Sequence, residues 1–393
     1  MALHLNEYVL KTSAPPIAEA TAWLDEGLAP GDMKLLDLAQ AVPSYPPPDA
    51  LLEHLGAAAR APDTAFYTDI LGLPALRTAY ADSLSRIYDA TISADQVAIT
   101  TGCNHAFCLA IMAVAEPGSE VLLAAPYYFN HEMWFAMQNI GIRPLPCVQG
   151  AEGMVPDPEQ ARALIGPKTR AIVLISPNNP TGTIYATERL AAFAALAKDQ
   201  GIALILDETY RDFLPGAGAP HGLFQADDWG GHFIQLYSFS KAYSLTGYRV
   251  GALAAGREVI AQVDKVADTL SICPPHIGQL AALYGIEHLD AWREGKRQEA
   301  LARVEALDAA FAAAQPPFEL VSRGAFFAYL RHPCPEKSAV EVARALVAEQ
   351  ALFCLPGSYF GPGQERYLRL AFANAAPEEM PEIARRLKAF GSG

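Results

Sequence analysis

Six short runs, at 97–100, 121–125, 171–175, 202–206, 233–237 and 250–254, are apolar almost without interruption, and they limit the fold more than any other feature. A strand with one wet face alternates polar and apolar residues, whereas a strand apolar throughout is covered on both faces. Between these runs lie stretches of helical character at 105–115, 129–139, 158–165 and 188–200. Asp157-Pro158 and Thr187 are suited to open the last two as N-cap residues. Strand alternating with helix over ~150 residues predicts an α/β unit whose mostly parallel sheet is flanked by helices.

The texture then changes. Residues 279 to 314 read as one long Ala- and Leu-rich helix, followed by strands at 318–321 and 326–331, a helix at 339–349, strands at 352–355 and 367–371, and a helix at 381–390. That order predicts a smaller α+β domain on a helical stalk. The first 45 residues read as loop, lead into a Pro-rich stretch (Pro43, Pro46, Pro47, Pro48) and are assigned to the smaller unit. The expected division is 46–285 for the large domain, and 1–45 with 286–393 for the small one. A length of 393 residues with 51% hydrophobic and 18% charged side chains is enough to bury two such cores, and excludes a disordered chain.

A net charge of −14 repels polyphosphate, so nucleic acid is not an expected partner, and basic residues that converge mark a local anion site. The six cysteines are scattered without a CxxC pair, which predicts reduced thiols and a cytoplasmic protein. The first residues carry no basic leader or long apolar core, and no apolar run approaches the ~20 residues that span a bilayer. No membrane partner is expected. The nine histidines include no HxxxH spacing, so no metal site is expected either.

Four segments at predicted strand ends carry the chemistry. After 233–237 comes Ser238-Phe239-Ser240-Lys241, with Arg249 close behind. An ammonium in an apolar, glycine-punctuated loop is costly, and burial favours the neutral amine that attacks carbonyls. Ser238, Ser240 and Arg249 are suited to a phosphate, although a solvated surface loop would look the same. Ser176-Pro177-Asn178-Asn179-Pro180-Thr181-Gly182 is either a plain strand-breaking turn or a rigid arm holding an amide at the strand's carboxyl end, where ligands of open sheets sit. Asp207, ending 202–206, is either a helix cap or a carboxylate for a cationic nitrogen, with Tyr210 just beyond. In Thr101-Gly102-Cys103-Asn104, the N–H groups of Cys103 and Asn104 at a helix start are suited to an anion.

An amine, a carboxylate, an amide and a phosphate cradle make a specific set, and with them the chain resembles the class I/II aminotransferases, the fold type I enzymes of pyridoxal phosphate. The likeness runs through nearly the whole chain in the family's order. It takes in Tyr67-Thr68 with Gly72, Leu76 and Arg77; Gly102-Cys103-Asn104; Pro126-Tyr127-Tyr128; Asn179-Pro180-Thr181-Gly182; Asp207 and Tyr210; Ser238, Lys241 and Arg249; and Pro356-Gly357-Ser358-Tyr359-Phe360-Gly361 followed by Arg369.

The resemblance implies pyridoxal 5′-phosphate as cofactor, carried by Lys241, which later moves the substrate's α-proton. It implies that Asp207 pairs with the ring nitrogen, that Asn179 and Tyr210 hydrogen-bond the ring's phenolic oxygen, and that Tyr128 stacks on the ring. Ser238, Ser240, Arg249 and the turn Gly102-Cys103-Asn104 are implied to hold the phosphate. Tyr67 is implied to reach the phosphate of a neighbouring subunit, hence a homodimer with shared sites. Arg369 matches the arginine that takes the substrate carboxylate.

Departures from the pattern matter too. Ala41 stands where a glycine is common in the substrate loop, which alters a backbone contact there, and Cys103 and Asn104 replace a commoner pair. No arginine lies near Ser271-Ile272-Cys273-Pro274-Pro275, where dicarboxylate-specific relatives carry a second one. Tyr127, Tyr128, Phe129, Phe326, Phe327 and Tyr359 suggest an aromatic or long apolar pocket, and His221 and His276 are candidates to serve it. The expectation is an aminotransferase moving an amino group from a neutral, aromatic or sulfur-containing L-amino acid to a 2-oxo acid by a ping-pong route. A C–S β-lyase on the same scaffold is the alternative. A non-catalytic cofactor-binding regulator is disfavoured by the acidic charge and by the lack of a DNA-binding region before Tyr45.

Overall fold

A computed structural model describes residues 3–31, 33–216 and 218–390. Helices Glu7–Lys11 and Pro16–Asp25 come first, then the two-residue strand β1 (Leu36–Asp37). The expectation of loop throughout this segment is therefore corrected. The second helix opens on Pro16, which a helix's first turn tolerates, and tucks Ala20 and Trp23 into the core. Helices Asp49–Ala58 and Pro74–Tyr88 lead into the main sheet.

That sheet has eight strands: β2 (Val97–Thr100), β3 (Glu120–Ala125), β4 (Gly141–Gly150), β5 (Gly153–Pro156), β6 (Thr169–Ile175), β7 (Ala203–Asp207), β8 (Phe233–Ser238) and β9 (Gly251–Ala254). Their order is β2-β9-β8-β7-β6-β3-β4-β5. The central pairs β8·β7, β7·β6, β6·β3 and β3·β4 are parallel, and the pairs β2·β9, β9·β8 and β4·β5 are antiparallel. The six apolar runs all lie in this sheet and are buried nearly throughout, as two-sided cover requires. Strands β4 and β5 escape that signature. β4 is largely exposed and carries Pro144 and Pro146, which belong near a sheet's edge. Asp157 caps its helix by accepting the Glu159 N–H at 3.0 Å, whereas Thr187 is the first helical residue and makes no cap bond.

The single helix expected over 279–314 is two, His276–His288 and Asp290–Ala314, broken at Leu289. The second is called the linker helix below. Beyond it, β10 (Glu319–Gly324), β11 (Phe327–Arg331), β13 (Leu355–Pro356) and β14 (Tyr367–Ala371) form an antiparallel sheet in the order β10-β11-β14-β13. The run 352–355 is split: β12 (Leu352–Phe353) leaves that sheet and pairs in parallel with β1. Helices Ala339–Gln350 and Met380–Ala389 cover this unit. Ala20, Trp23, Leu36 and Leu38 share one buried cluster with residues from Leu307 to Phe390, so the start of the chain packs with its end.

Candidate active site

The carboxyl ends of β7 and β8 and the turn after β6 open on one cavity of 290 Å³. Its walls include Ala41, Cys103, Asn104, Tyr128, Asn179, Asp207, Tyr210, Ser238, Ser240, Lys241, Arg249 and Arg369. Segments almost the whole chain apart thus converge where open α/β sheets hold ligands.

Lys241 lies on the short helix Phe239–Ala242 that follows β8. Ser238 caps this helix, its hydroxyl accepting the Ser240 N–H at 3.2 Å. The Lys241 Nζ donates to the Ala41 carbonyl at 2.7 Å, so the carbonyl, not the side chain, makes the substrate loop's contact. Burial, then the Arg249 and Arg369 guanidinium groups, pull its pKa down to about 8. A neutral, nucleophilic amine is therefore within reach near physiological pH.

Asp207 ends β7 and is buried, its Oδ1 accepting the Thr209 N–H at 2.9 Å. Burial raises its pKa, and hydrogen bonds from Thr209 and Cys103 oppose the rise. A cationic ring nitrogen at this place would supply the counter-charge that burial withholds. His131, missed by the sequence reading, stands behind it with Nε2 3.9 Å from Oδ2. Its ring stacks on Phe107 at 3.8 Å, and burial lowers its pKa to about 3, so it is neutral. Its spacing from Tyr128, three residues along the helix Phe129–Met137, was the available signal.

Arg249 lies beside the turn Gly102-Cys103-Asn104. Gly102 sits at φ +81°, and any Cβ there would strike the Arg249 guanidinium. The helix Cys103–Val114 starts at this point with its N–H groups free of a side-chain cap. Together with Ser238 and Ser240, which line the same cavity, these groups are suited to an anion. Asn104 hydrogen-bonds Tyr128, the residue that precedes the helix Phe129–Met137.

Arg369 occupies the middle of β14, paired with Tyr329 and Leu355, and is 2% exposed. Its Nη1 donates to Asn179 Oδ1 at 3.2 Å, its Nη2 donates to the Ala39 carbonyl, and its Nε has no partner in the protein. The rings of Phe327 and Phe360 lie 5.4 and 5.0 Å from it, and burial lowers its pKa to about 10. A buried guanidinium with an unused N–H is suited to a ligand carboxylate. The turn holding Asn179 is set by close packing, since a Cβ on Gly182 (φ +72°) would meet the Gly324 backbone.

Not every expected residue arrives. Tyr67 is 77% exposed and lies outside the cavity of its own chain. Of the aromatic set, Tyr128 and Phe129 line the cavity; Tyr127, Phe326, Phe327 and Tyr359 do not. Phe326 and Phe327 instead pack edge-on against Tyr210. His221 pairs with Glu208 at 3.2 Å behind the cavity wall, and His276 is not in the wall. Ile17 and Val42, from the segment read as loop, add apolar wall, and Gln40 from the same segment adds an amide. All six cysteines are free thiols, and among the described residues no helix is long and apolar enough to cross a membrane.

The sequence profile of the aminotransferase class I and II family matches residues 33–387. An aromatic aminotransferase of Arabidopsis thaliana is 28% identical over 392 residues, covering 98% of this chain and 95% of that one. A valine–pyruvate aminotransferase of Mycobacterium tuberculosis is 32% identical over 281 residues, covering 71% of each. Among solved structures, the aspartate aminotransferase of Thermus thermophilus with maleate superposes with a TM-score of 0.87 at 25% identity, over 99% of this chain and 100% of that one. Enzymes of this family and fold use pyridoxal 5′-phosphate, and the site fits it: a buried amine, a guanidinium beside a free helix start and a buried carboxylate line one cavity. The chain belongs to the class I and II aminotransferases and is a transaminase that works with pyridoxal 5′-phosphate.

Proposed function

We propose that this enzyme takes the amino group from a neutral L-amino acid with an apolar, aromatic or sulfur-containing side chain and gives it to a 2-oxo acid. One observation carries the choice of substrate. The cations in the cavity wall are Lys241, Arg249 and Arg369, and these are already committed to the amine role, the phosphate cradle and the α-carboxylate. A second carboxylate on the substrate would meet Ile17, Val42 and Phe129 rather than a guanidinium, and would lose its hydration unpaired.

The cofactor, when bound, supplies a protonated ring that accepts the electron pair left as the Cα–H bond breaks. Ser238, Ser240, Arg249 and the Cys103 and Asn104 N–H groups hold its phosphate, with Gly102 making room for the guanidinium. Asp207 keeps the ring nitrogen protonated, and Tyr128 covers a ring face. Asn179 and Tyr210 bond the phenolic oxygen. Arg369 binds the α-carboxylate as a fork, exchanging its bonds to Ala39 and Asn179 for the ligand. Lys241, neutral above pH ~8, takes the proton from Cα and delivers it again. A single fork serves both acids, so the first product leaves before the acceptor enters, which is a ping-pong sequence.

The active unit in this reading is a cytoplasmic homodimer. Tyr67 and Phe66 project from the protomer as exposed rings, and they are free to reach a second copy's phosphate end. A half-reaction screen tests the proposal. Each amino acid is added to the loaded enzyme without acceptor while the visible spectrum is followed. Aromatic, aliphatic and sulfur-containing donors should convert the cofactor at least about 100-fold faster than aspartate or glutamate, the discrimination expected when one partner of a buried charge pair is missing. Fastest conversion by aspartate would overturn the substrate assignment. Release of pyruvate and ammonia from cystathionine without acceptor would replace transamination by β-elimination.

A further inference from the structure

The segment that carries Asp207 and Tyr210 has two faces. Asp207, Thr209 and Tyr210 line the cavity. Glu208, Arg211 and Asp212 turn away from it into a buried polar layer that reaches the linker helix. Glu208 Oε2 accepts the Tyr88 hydroxyl at 2.6 Å and the Gln235 amide at 2.9 Å. The Arg211 guanidinium lies over the Tyr237 ring, 4.1 Å from its centroid. Asp212 accepts the Tyr237 hydroxyl on Oδ2 at 2.7 Å and Arg293 Nη1 on Oδ1 at 2.8 Å. One turn further along the linker helix, Arg297 Nη1 donates to the Leu214 carbonyl at 2.8 Å.

Two facts make this layer more than packing. Buried ion pairs rarely stabilise a fold better than apolar groups of the same volume would, so stability alone does not account for this layer. The path to the cavity is also short and stiff. Tyr210 heads the single 3-10 turn Arg211–Phe213, and the Phe213 N–H closes that turn on the Tyr210 carbonyl at 3.0 Å. A displacement at Asp212 is therefore passed to Tyr210 without a flexible joint. At the other end, the linker helix is fixed to the small unit, where Arg303 Nε donates to the Ala375 carbonyl at 2.9 Å.

We propose that Arg293 and Asp212 are positioning residues for Tyr210, so that the linker helix sets where the Tyr210 hydroxyl stands and ties the small unit's placement to the cofactor end of the site. This rests on the reading of Tyr210 given under the proposed function. It assigns a role to side chains that touch neither cofactor nor substrate.

The test is a pH titration of the visible band of the loaded enzyme, because a hydrogen bond to the ring's phenolic oxygen sets that midpoint. Tyr210→Phe gives the reference shift. Arg293→Met should move the midpoint in the same direction by at least about a third of that shift, since it loosens the donor without removing it. Its kcat should fall about tenfold while the amino-acid KM stays within about twofold, because Arg369 is untouched. Arg293→Lys keeps the charge at Asp212 and should recover most of the kcat. Arg297→Met removes the bonds to the Leu214 and Pro215 carbonyls and the pair with Glu294 but leaves Asp212 its partner, so it should move the midpoint less, which keeps the test open if Arg293→Met folds poorly. A wild-type midpoint in all three arginine variants, with only the melting temperature lowered, would reduce the layer to structural packing and overturn the inference. If Tyr210→Phe itself leaves the midpoint in place, the reading of Tyr210 fails first and the inference falls with it.

Discussion

The two ends of the cavity are built differently. The cofactor end is assembled from the tips of neighbouring strands: Asp207 closes β7, Ser238 closes β8, and Ser240 and Lys241 follow it. The pairing of β7 with β8 places these groups side by side, so the geometry comes with the sheet. The substrate end has no such frame. Arg369 sits in the small sheet, and its hydrogen-bond partners, Ala39 and Asn179, come from a loop near the start of the chain and a turn in the middle. The first end is a product of local order, and the second exists only where distant segments meet.

The contrast can be broken first at Lys241. Lys241→Ala should abolish the visible band of the loaded enzyme and lower kcat by at least about 1000-fold, since both the nucleophile and the proton carrier are lost. Absorbance spectra and steady-state rates check this, and an unaltered band would refute the assignment. Next is the substrate end. Arg369→Ala should leave that band in place but raise the amino-acid KM by at least about 150-fold, the expected loss for a two-bond charged fork at ~1.5–3 kcal/mol per bond. An unchanged KM would put the carboxylate elsewhere.

The smallest effect concerns the cofactor-free protein. Lys241 has its folded pKa lowered from 10.5 to about 8, so between those values the unfolded chain binds more protons than the folded one. Stability should therefore rise as pH climbs from about 8 toward 10.5, by on the order of 2–3 kcal/mol, and the cost of the buried charge should be felt in full below pH 8. In Lys241→Met that component disappears. Denaturant unfolding of both proteins across this range checks the sign, and identical pH profiles would show that the amine is not held in a desolvated place.

The same contrast explains what could be read from the sequence. The six two-sided strands were legible because nothing else makes so many short, wholly apolar runs, and the strand-end motifs were legible because each is contiguous. β4 was not, because an exposed strand with prolines near a sheet's edge lacks the pattern of a buried one, and β5 was not, because its four buried residues open on a glycine and end on a proline. The helix Pro16–Asp25 was hidden by its shortness and by the prolines at its start, and with it went Ile17 as a wall of the cavity. The layer formed by Glu208, Arg211, Asp212 and Arg293 depends on tertiary neighbours that no spacing along the chain announces, and His131 offered only its three-residue spacing from Tyr128. The aromatic cluster shows the opposite error: Phe326 and Phe327 are near the site in sequence logic, yet they serve as backing for Tyr210.

The parallel pairing of β1 with β12 has a consequence for how the enzyme comes into being. Leu36 cannot find Leu352, nor Ala39 its hydrogen bond from Arg369, until those later residues have been made. By the time Ala254 has been made, every strand of the eight-stranded sheet is present with Asp207, Lys241 and Arg249, and Arg369 is still to come. Synthesis thus delivers the parts of the coenzyme's berth before the last part of the substrate's.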